Sequence, residues 1–436
     1  MGHLVIDSCP GGNESEPVLI SSYGRGRATL LSPRETGILV RETPWVTVSN
    51  LTLEASEGNN GDGIRFDRNR EGSTRLVGLT IYGCSVTGFA WHGIMVDALQ
   101  HTNGFERVRI EDCVARKNRH AGIMVYGGNP TGRIGHPHAD VVIRRCLAAD
   151  NPGDPDLLQH HSGSGIFVDG VDSGEVTDCV AACNGAECRS DRGGPVGIWA
   201  HASRRIVIAR CESFGNQSSL RDGGGFDLDG GCEDSVMRGN FSHDNHGPGF
   251  LVYTYQGAPY SDRGCRVMEN ISIHDGQRGT GYAGIQIGAE GGCLISDLEV
   301  TRNTVIAPVG SVGAVRISGH NIHANVRSNL VVAPDHGVLV AVSGYKHNIL
   351  FEGNRYWRTD GVPVFLVDSQ WPVSSLELWK NSTGPETRFS ARSEVVVNPK
   401  LKGLTEWSIR YRDREPRWPK LSHLLEAGIG APVLRP

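Results

Sequence analysis

GIFVD at residues 165–169 is a glycine followed by two apolar residues that flank an aromatic, and then an acid. In an extended chain successive side chains alternate, so Ile166 and Val168 would face one side while Phe167 and Asp169 face the other. The same cassette recurs along the chain. It reads GILV from 37, GIRF from 63, GIMV from 93 and again from 122, GIWA from 197, GFDL from 225, GFLV from 249, GIQI from 284 and GVLV from 337. Looser copies begin at Gly313 and Gly361. Between the cassettes lies a second short apolar run that ends in Cys or Asn, as in VRIEDC, VVIRRC, IVIARC, SVMRGN, RVMEN and VRSN. The marker residues are Asn50, Cys84, Cys113, Cys146, Cys179, Cys211, Asn240, Asn270, Asn303, Asn329 and Asn354, spaced 25 to 34 apart. Asn118, Asn151, Asn184, Asn216 and Asn245 follow the same rhythm five residues later.

A unit of two or three short strands cannot bury its own apolar residues, whereas stacked units can. Buried Cys behaves as a small hydrophobe, so a Cys column fits the interior of such a stack. Aligned Asn residues can hydrogen-bond from one turn to the next. The repeat therefore predicts an all-β, single-stranded parallel β-helix of about twelve coils over residues 1–403. From about 404 the repeat is lost, and LSHLLEAGIG at 421–430 reads as a closing segment of a capping tail, 404–436.

The composition narrows the function classes. Glycine, 58 of 436 residues, stands at about twice its usual share. A formal charge of -5 gives no basic field for nucleic acid. No apolar run reaches the roughly 18 residues of a membrane helix. MGHLVIDSCPGG lacks a charged n-region followed by an apolar h-region, so no secretory signal is visible. Eleven cysteines are an odd number, which excludes a fully paired framework. Cys183 and Cys188 are close enough in sequence to bridge one loop if the protein is exported. His136/His138 and His160/His161 lack helical or CxxC-type spacing, so no zinc site is expected, and calcium is the cofactor left open.

The cassettes, ISSYGRGRATLL at 20–31, and GGGFDLDGG (223–231) followed by NFSHDNHGPGF (240–250) resemble the right-handed parallel β-helix superfamily of pectate lyases and related carbohydrate-active proteins. The subgroup is that of bacterial β-helix repeat proteins. The resemblance covers roughly residues 1–400, although the usual N-terminal cap is not visible. It implies a right-handed helix and a polysaccharide or oligosaccharide partner, with no substrate specified.

Stacking turns the outward positions into columns. The third cassette position gives Leu39, Arg65, Met95, Met124, Phe167, Trp199, Asp227, Leu251 and Gln286; the fifth gives Arg41, Asp67, Asp97, Tyr126, Asp169, His201, Asp229, Tyr253 and Gly288. Long polar loops at 127–140, 150–165, 184–194, 215–225 and 253–264 surround the central cassettes, as functional loops do. Asp227 and Asp229, about 6.7 Å apart along a strand, would repel, so one would keep its proton to higher pH. A protonated acid beside an ionised partner is what glycosidic cleavage requires. The competing reading is two solvated aspartates or a structural calcium site.

His201, with Asp169 one coil below, suits a proton shuttle. Trp199 and Phe167 suit the apolar face of a sugar, and Tyr126, Tyr253 and Tyr255 its hydroxyls. The leading expectation is a glycoside hydrolase with Asp227, Asp229, Asp169 and His201 as catalytic groups. The runner-up is a calcium-dependent polysaccharide lyase or epimerase, and the third reading is a non-catalytic glycan-binding solenoid. A glycan partner implies a secreted or periplasmic full-length protein.

Overall fold

The computed structural model describes residues 2–70, 72–98, 103–128, 135–277, 281–344, 348–368, 371–382, 387–389 and 393–396. The proposed capping tail at 404–436 lies outside the described residues. Within each of the chain's two units the strands form parallel sheets in which a cassette pairs with the cassettes before and after it, as in a right-handed β-helix. The coil number is about ten, slightly different from the twelve expected. Among the described residues, no helix is long and apolar enough to cross a membrane.

The chain divides into two compact units. The first comprises Met1–Ile208 with Asn216–Gly223, and the second Ala209–Gly215 with Gly224–Pro436. In the first unit the cassette strands run Leu4–Asp7, Ile38–Arg41, Ile64–Arg68, His92–Ala98, Ala121–Tyr126, Ser164–Asp169 and Val196–His201 in one sheet. Register follows the cassette: Met95 lies opposite Arg65 and Met124, and Met124 opposite Phe167. Phe167 in turn lies opposite Trp199, and Asp169 opposite His201. The alternate positions Ile94, Val96, Ile123, Val125, Ile166, Val168 and Ile198 are all within 1% of complete burial and form the interior.

The second unit repeats the plan, with Gly224–Asp229, Phe250–Thr254, Ile285–Ala289, Val315–Gly319 and Val340–Val342 in its cassette sheet. Phe226 stacks on Phe250 inside, at 5.1 Å and nearly parallel. Gly225 explains the cassette glycine here. A Cβ at that position would sit 2.2 Å from the Ser242 hydroxyl and 2.9 Å from the Gly249 carbonyl. Helix Leu376–Ser382 contributes fully buried Trp379, which stacks on Phe365 and meets Phe351 and Tyr356 edge-on.

Both polar ladders form. In the second unit the Asn240 amide donates to Asn270, Asn270 to Asn303, Asn303 to Asn329 and Asn329 to Asn354, at 2.9–3.1 Å. In the first, Asn118, Asn151, Asn184 and Asn216 are chained in the same way. Cys84, Cys113, Cys146 and Cys179 are buried beside the first ladder. All eleven cysteines are free, and the two that an exported protein could bridge stand apart: Cys188 is buried while Cys183 is exposed.

Asp275 interrupts the second pattern. It occupies the position after Asn245 in that ladder, is fully buried, and accepts from the Asn245 amide and the Ser272 hydroxyl, each at 2.7 Å. Burial raises its carboxyl to about 6, against which those hydrogen bonds act only partly. Because the folded state holds this proton more tightly than the unfolded state, the contribution of Asp275 to stability is greatest at low pH and falls as pH rises from about 4 through about 6. Asp275→Asn restores the ladder residue without a charge. It should stabilise the protein by roughly 1–3 kcal/mol at pH 8, and leave stability near pH 4 nearly unchanged. Thermal melts of both proteins at the two pH values check this, and a variant less stable than wild type at pH 8 contradicts it.

Candidate active site

In the second unit Leu228 is completely buried, so its neighbours Asp227 and Asp229 lie on the opposite, outward side of the strand. Asp227 is 4% exposed, whereas Asp229 is half-buried. Their backbone positions are about 6.7 Å apart, which leaves either carboxyl separation used in glycoside cleavage within reach of rotamer choice. The strand's exit is clasped from a distant loop. Fully buried Asp262 accepts from the backbone N–H of Gly231 at 3.1 Å and of Cys232 at 2.9 Å. Gly231 has a left-handed φ of 98°, and a Cβ there would press on Tyr260. The double glycine after Asp229 thus lets the 255–262 loop return beside the acid-bearing strand.

Tyr253 lies opposite Asp229 in register, and Gly288 follows on the next coil. A Cβ on Gly288 would come within 2.6 Å of the Tyr253 ring, so the missing side chain leaves room for that ring to lie across the coil. In the adjacent column Asp227 is followed by Leu251, Gln286 and Arg316. Arg316 donates to the Gly281 carbonyl, and burial lowers its pKa. Sequence reading missed this arginine because Ala314 stands where the cassette has glycine, and Gly313 is one position too early. Tyr255 is half-buried in the loop that Asp262 anchors.

In the first unit Asp169 is 1% exposed and has both carboxylate oxygens engaged. One meets His201 Nδ1 at 2.7 Å, and the other accepts from the Gly127 N–H at 3.1 Å. Asp169 therefore orients His201. Tyr126 lies in the same column, and its carbonyl meets Nε2 of buried His138, whose Nδ1 accepts from the Phe105 N–H. His138 is structural in that role.

Phe167 and Trp199 do not form the expected open floor. The rings stack on one another at 3.7 Å and 7°, each only 4% exposed, and the indole N–H donates to Ser164 at 3.2 Å. His161 closes over them, edge-on to Trp199 at 4.9 Å and to Phe167 at 5.7 Å. Burial, then the His201, His160 and His120 imidazoles, push His161 down to about 4, so it is neutral at physiological pH.

A second carboxylate–imidazole pair lies on earlier coils of this unit. His92 Nδ1 meets Asp62 at 2.7 Å, and Arg65 bridges Asp62 and Asp97. Burial favours the protonated Asp62 carboxyl, but His92 and Arg65 outweigh it and bring the group to about 2. His243 sits buried between Glu212 at 3.1 Å and Asp244 at 2.8 Å. Desolvation works against its charge, yet the two carboxylates raise it to about 9. Among the described residues, no group of three or more His, Cys, Asp or Glu side chains is placed to hold a metal ion.

A family model described as "Right handed beta helix region" matches residues 138–270. The chain is a right-handed parallel β-helix. Solved right-handed β-helices to which it is similar include a mutant of the periplasmic alginate epimerase AlgG, at 13% identity and a TM-score of 0.50, covering 84% of this chain and 78% of that one. Another is a GH136 lacto-N-biosidase from Eubacterium ramulus, at 14% identity and a TM-score of 0.49, covering 74% of this chain. The chain spans 61% of the length of that biosidase. At 13% identity the likeness to the epimerase shows the fold alone. No curated protein sequence matches the chain.

Proposed function

We propose that the chain is a carbohydrate-active enzyme that hydrolyses a polysaccharide or oligosaccharide on the outward face of its cassette sheet. The observation that carries this reading is the placement of Asp227 and Asp229 on one outward face, either side of fully buried Leu228. One carboxyl would protonate the leaving oxygen, while the other acts as nucleophile or as the base that activates water. Tyr253 and Gln286, which follow on the next two coils, offer hydrogen bonds to sugar hydroxyls. A polysaccharide substrate places the protein in a secreted or periplasmic setting.

Arg316 favours a second reading. It stands three coils from Asp227 in one column, about 14 Å away at the spacing of parallel strands. A guanidinium there can pair with a sugar carboxylate, as a lyase or epimerase acting on uronates would use. Product analysis over a panel of neutral and acidic glycans separates the readings. New reducing ends without an unsaturated product support hydrolysis, and an ultraviolet-absorbing unsaturated product supports elimination. Binding with no turnover, unaffected by Asp229→Asn, makes the chain a recognition module and overturns the proposal.

A further inference from the structure

We propose that residues Pro155–His161 of the first unit form a displaceable strap, and that the His161 imidazole holds the place of a sugar ring over Trp199 and Phe167. The two ends of the strap are fixed. Asp154 N–H donates to the Ser162 hydroxyl at 2.7 Å, Arg119 pairs with Asp154 at 3.2 Å, and Gly163 N–H donates to the His120 carbonyl. Between those anchors no backbone hydrogen bond to the rest of the fold is found among the described residues. Among the described residues, its backbone hydrogen bonds run from Leu157 to Asp154 and from Leu158 to Asp156, with Asp156 N–H on the Asp154 carboxylate. Leu158 is 51% exposed and His160 is exposed as well.

The edge-on contact of His161 with the two stacked rings joins the strap to the body, with Pro155 and Leu157 half-buried before it. Segments with few backbone bonds to the rest of a fold open at low cost. Lifting His161 uncovers the edges of Trp199 and Phe167 together with Met124 and Tyr126, which pack against the same cluster. Asp169 lies two residues beyond Phe167, and His201 two beyond Trp199, on the same outward face. The exposed surface is an apolar patch with a carboxylate-oriented imidazole at its edge, matched to a pyranose ring with its C–H face inward and a hydroxyl toward His201. The choice of a sugar as occupant rests on the carbohydrate reading above; the strap does not.

The test uses the full chain labelled with 5-fluorotryptophan, with the Trp199 resonance assigned from Trp199→Phe. In His161→Ala the solvent-isotope shift of that resonance should rise, while Leu158→Ser, which alters only the exposed tip, leaves it unchanged. Cellohexaose, xylohexaose, hexagalacturonate and hexamannuronate are then titrated into both proteins. A sugar that binds wild type should move the Trp199 resonance and bind His161→Ala about two- to tenfold more tightly, the cost of displacing one aromatic contact. No gain in Trp199 exposure in His161→Ala overturns the strap. A gain in exposure with weaker sugar binding makes His161 a holding residue and overturns its role as a stand-in. A gain in exposure with no sugar bound by either protein overturns the sugar occupant while the strap remains; the carbohydrate reading, carried by Asp227 and Asp229, falls only by the product analysis above.

Discussion

Asn303→Ala unfolds about 10 °C below the wild type. The Asn303 amide donates to the Val267 carbonyl at 2.8 Å, and its oxygen accepts from the Asn270 backbone N–H at 3.0 Å. Alanine leaves both of those buried backbone groups without their partner, and weakens the links to the Asn270 and Asn329 amides on either side. Each buried polar group stripped in this way costs about 1–3 kcal/mol, so the sum is about 3–5 kcal/mol. In a folding unit of roughly two hundred residues, each kcal/mol moves the melting temperature by about 2–4 °C. Asn325→Ala removes a half-buried amide bonded only to Glu299, and serves as the control with a shift near zero. Equal melting temperatures for the two variants contradict the ladder's stabilising role.

The largest functional effect falls on the paired acids. Asp227→Asn and Asp229→Asn each lower kcat by about 10²–10⁴-fold, the usual contribution of a positioned proton donor or acceptor. Asparagine keeps the shape and the outward position, and Leu228 and Phe226 remain buried, so the fold is retained. The two variants should differ in kind. The one that loses the acid recovers rate on substrates with a good leaving group, because such a group leaves without a proton. The one that loses the nucleophile or base does not. Full activity in both variants on the same substrate overturns the assignment.

The regular part of this molecule was legible in its sequence because a two-residue alternation and a glycine repeat leave few ways to stack. The columns from Arg65 through Met95, Met124 and Phe167 to Trp199, and from Asp229 to Tyr253 and Gly288, follow from counting along the cassette. What covers an outward residue is set by loops that carry no period. Phe167 and Trp199 therefore read as an open platform, whereas His161 from the 150–163 loop closes over them. The Asp262 clasp on the turn after Asp229 comes from another such loop. Arg316 was hidden by a single Gly-to-Ala replacement in the cassette, and the Asp62–His92 pair by lying just outside it. The separation of Cys183 and Cys188 into exposed and buried positions likewise depends on how their loop folds.

Cleavage in water enriched in oxygen-18, followed by mass spectrometry of the products, tests the central claim most directly. If Asp227 and Asp229 drive hydrolysis, each broken glycosidic bond takes up one labelled oxygen, and Asp229→Asn forms almost no labelled product. Cleaved fragments that carry no label and are lighter by one water per break would mean elimination, with the aspartate pair wrongly cast as hydrolytic.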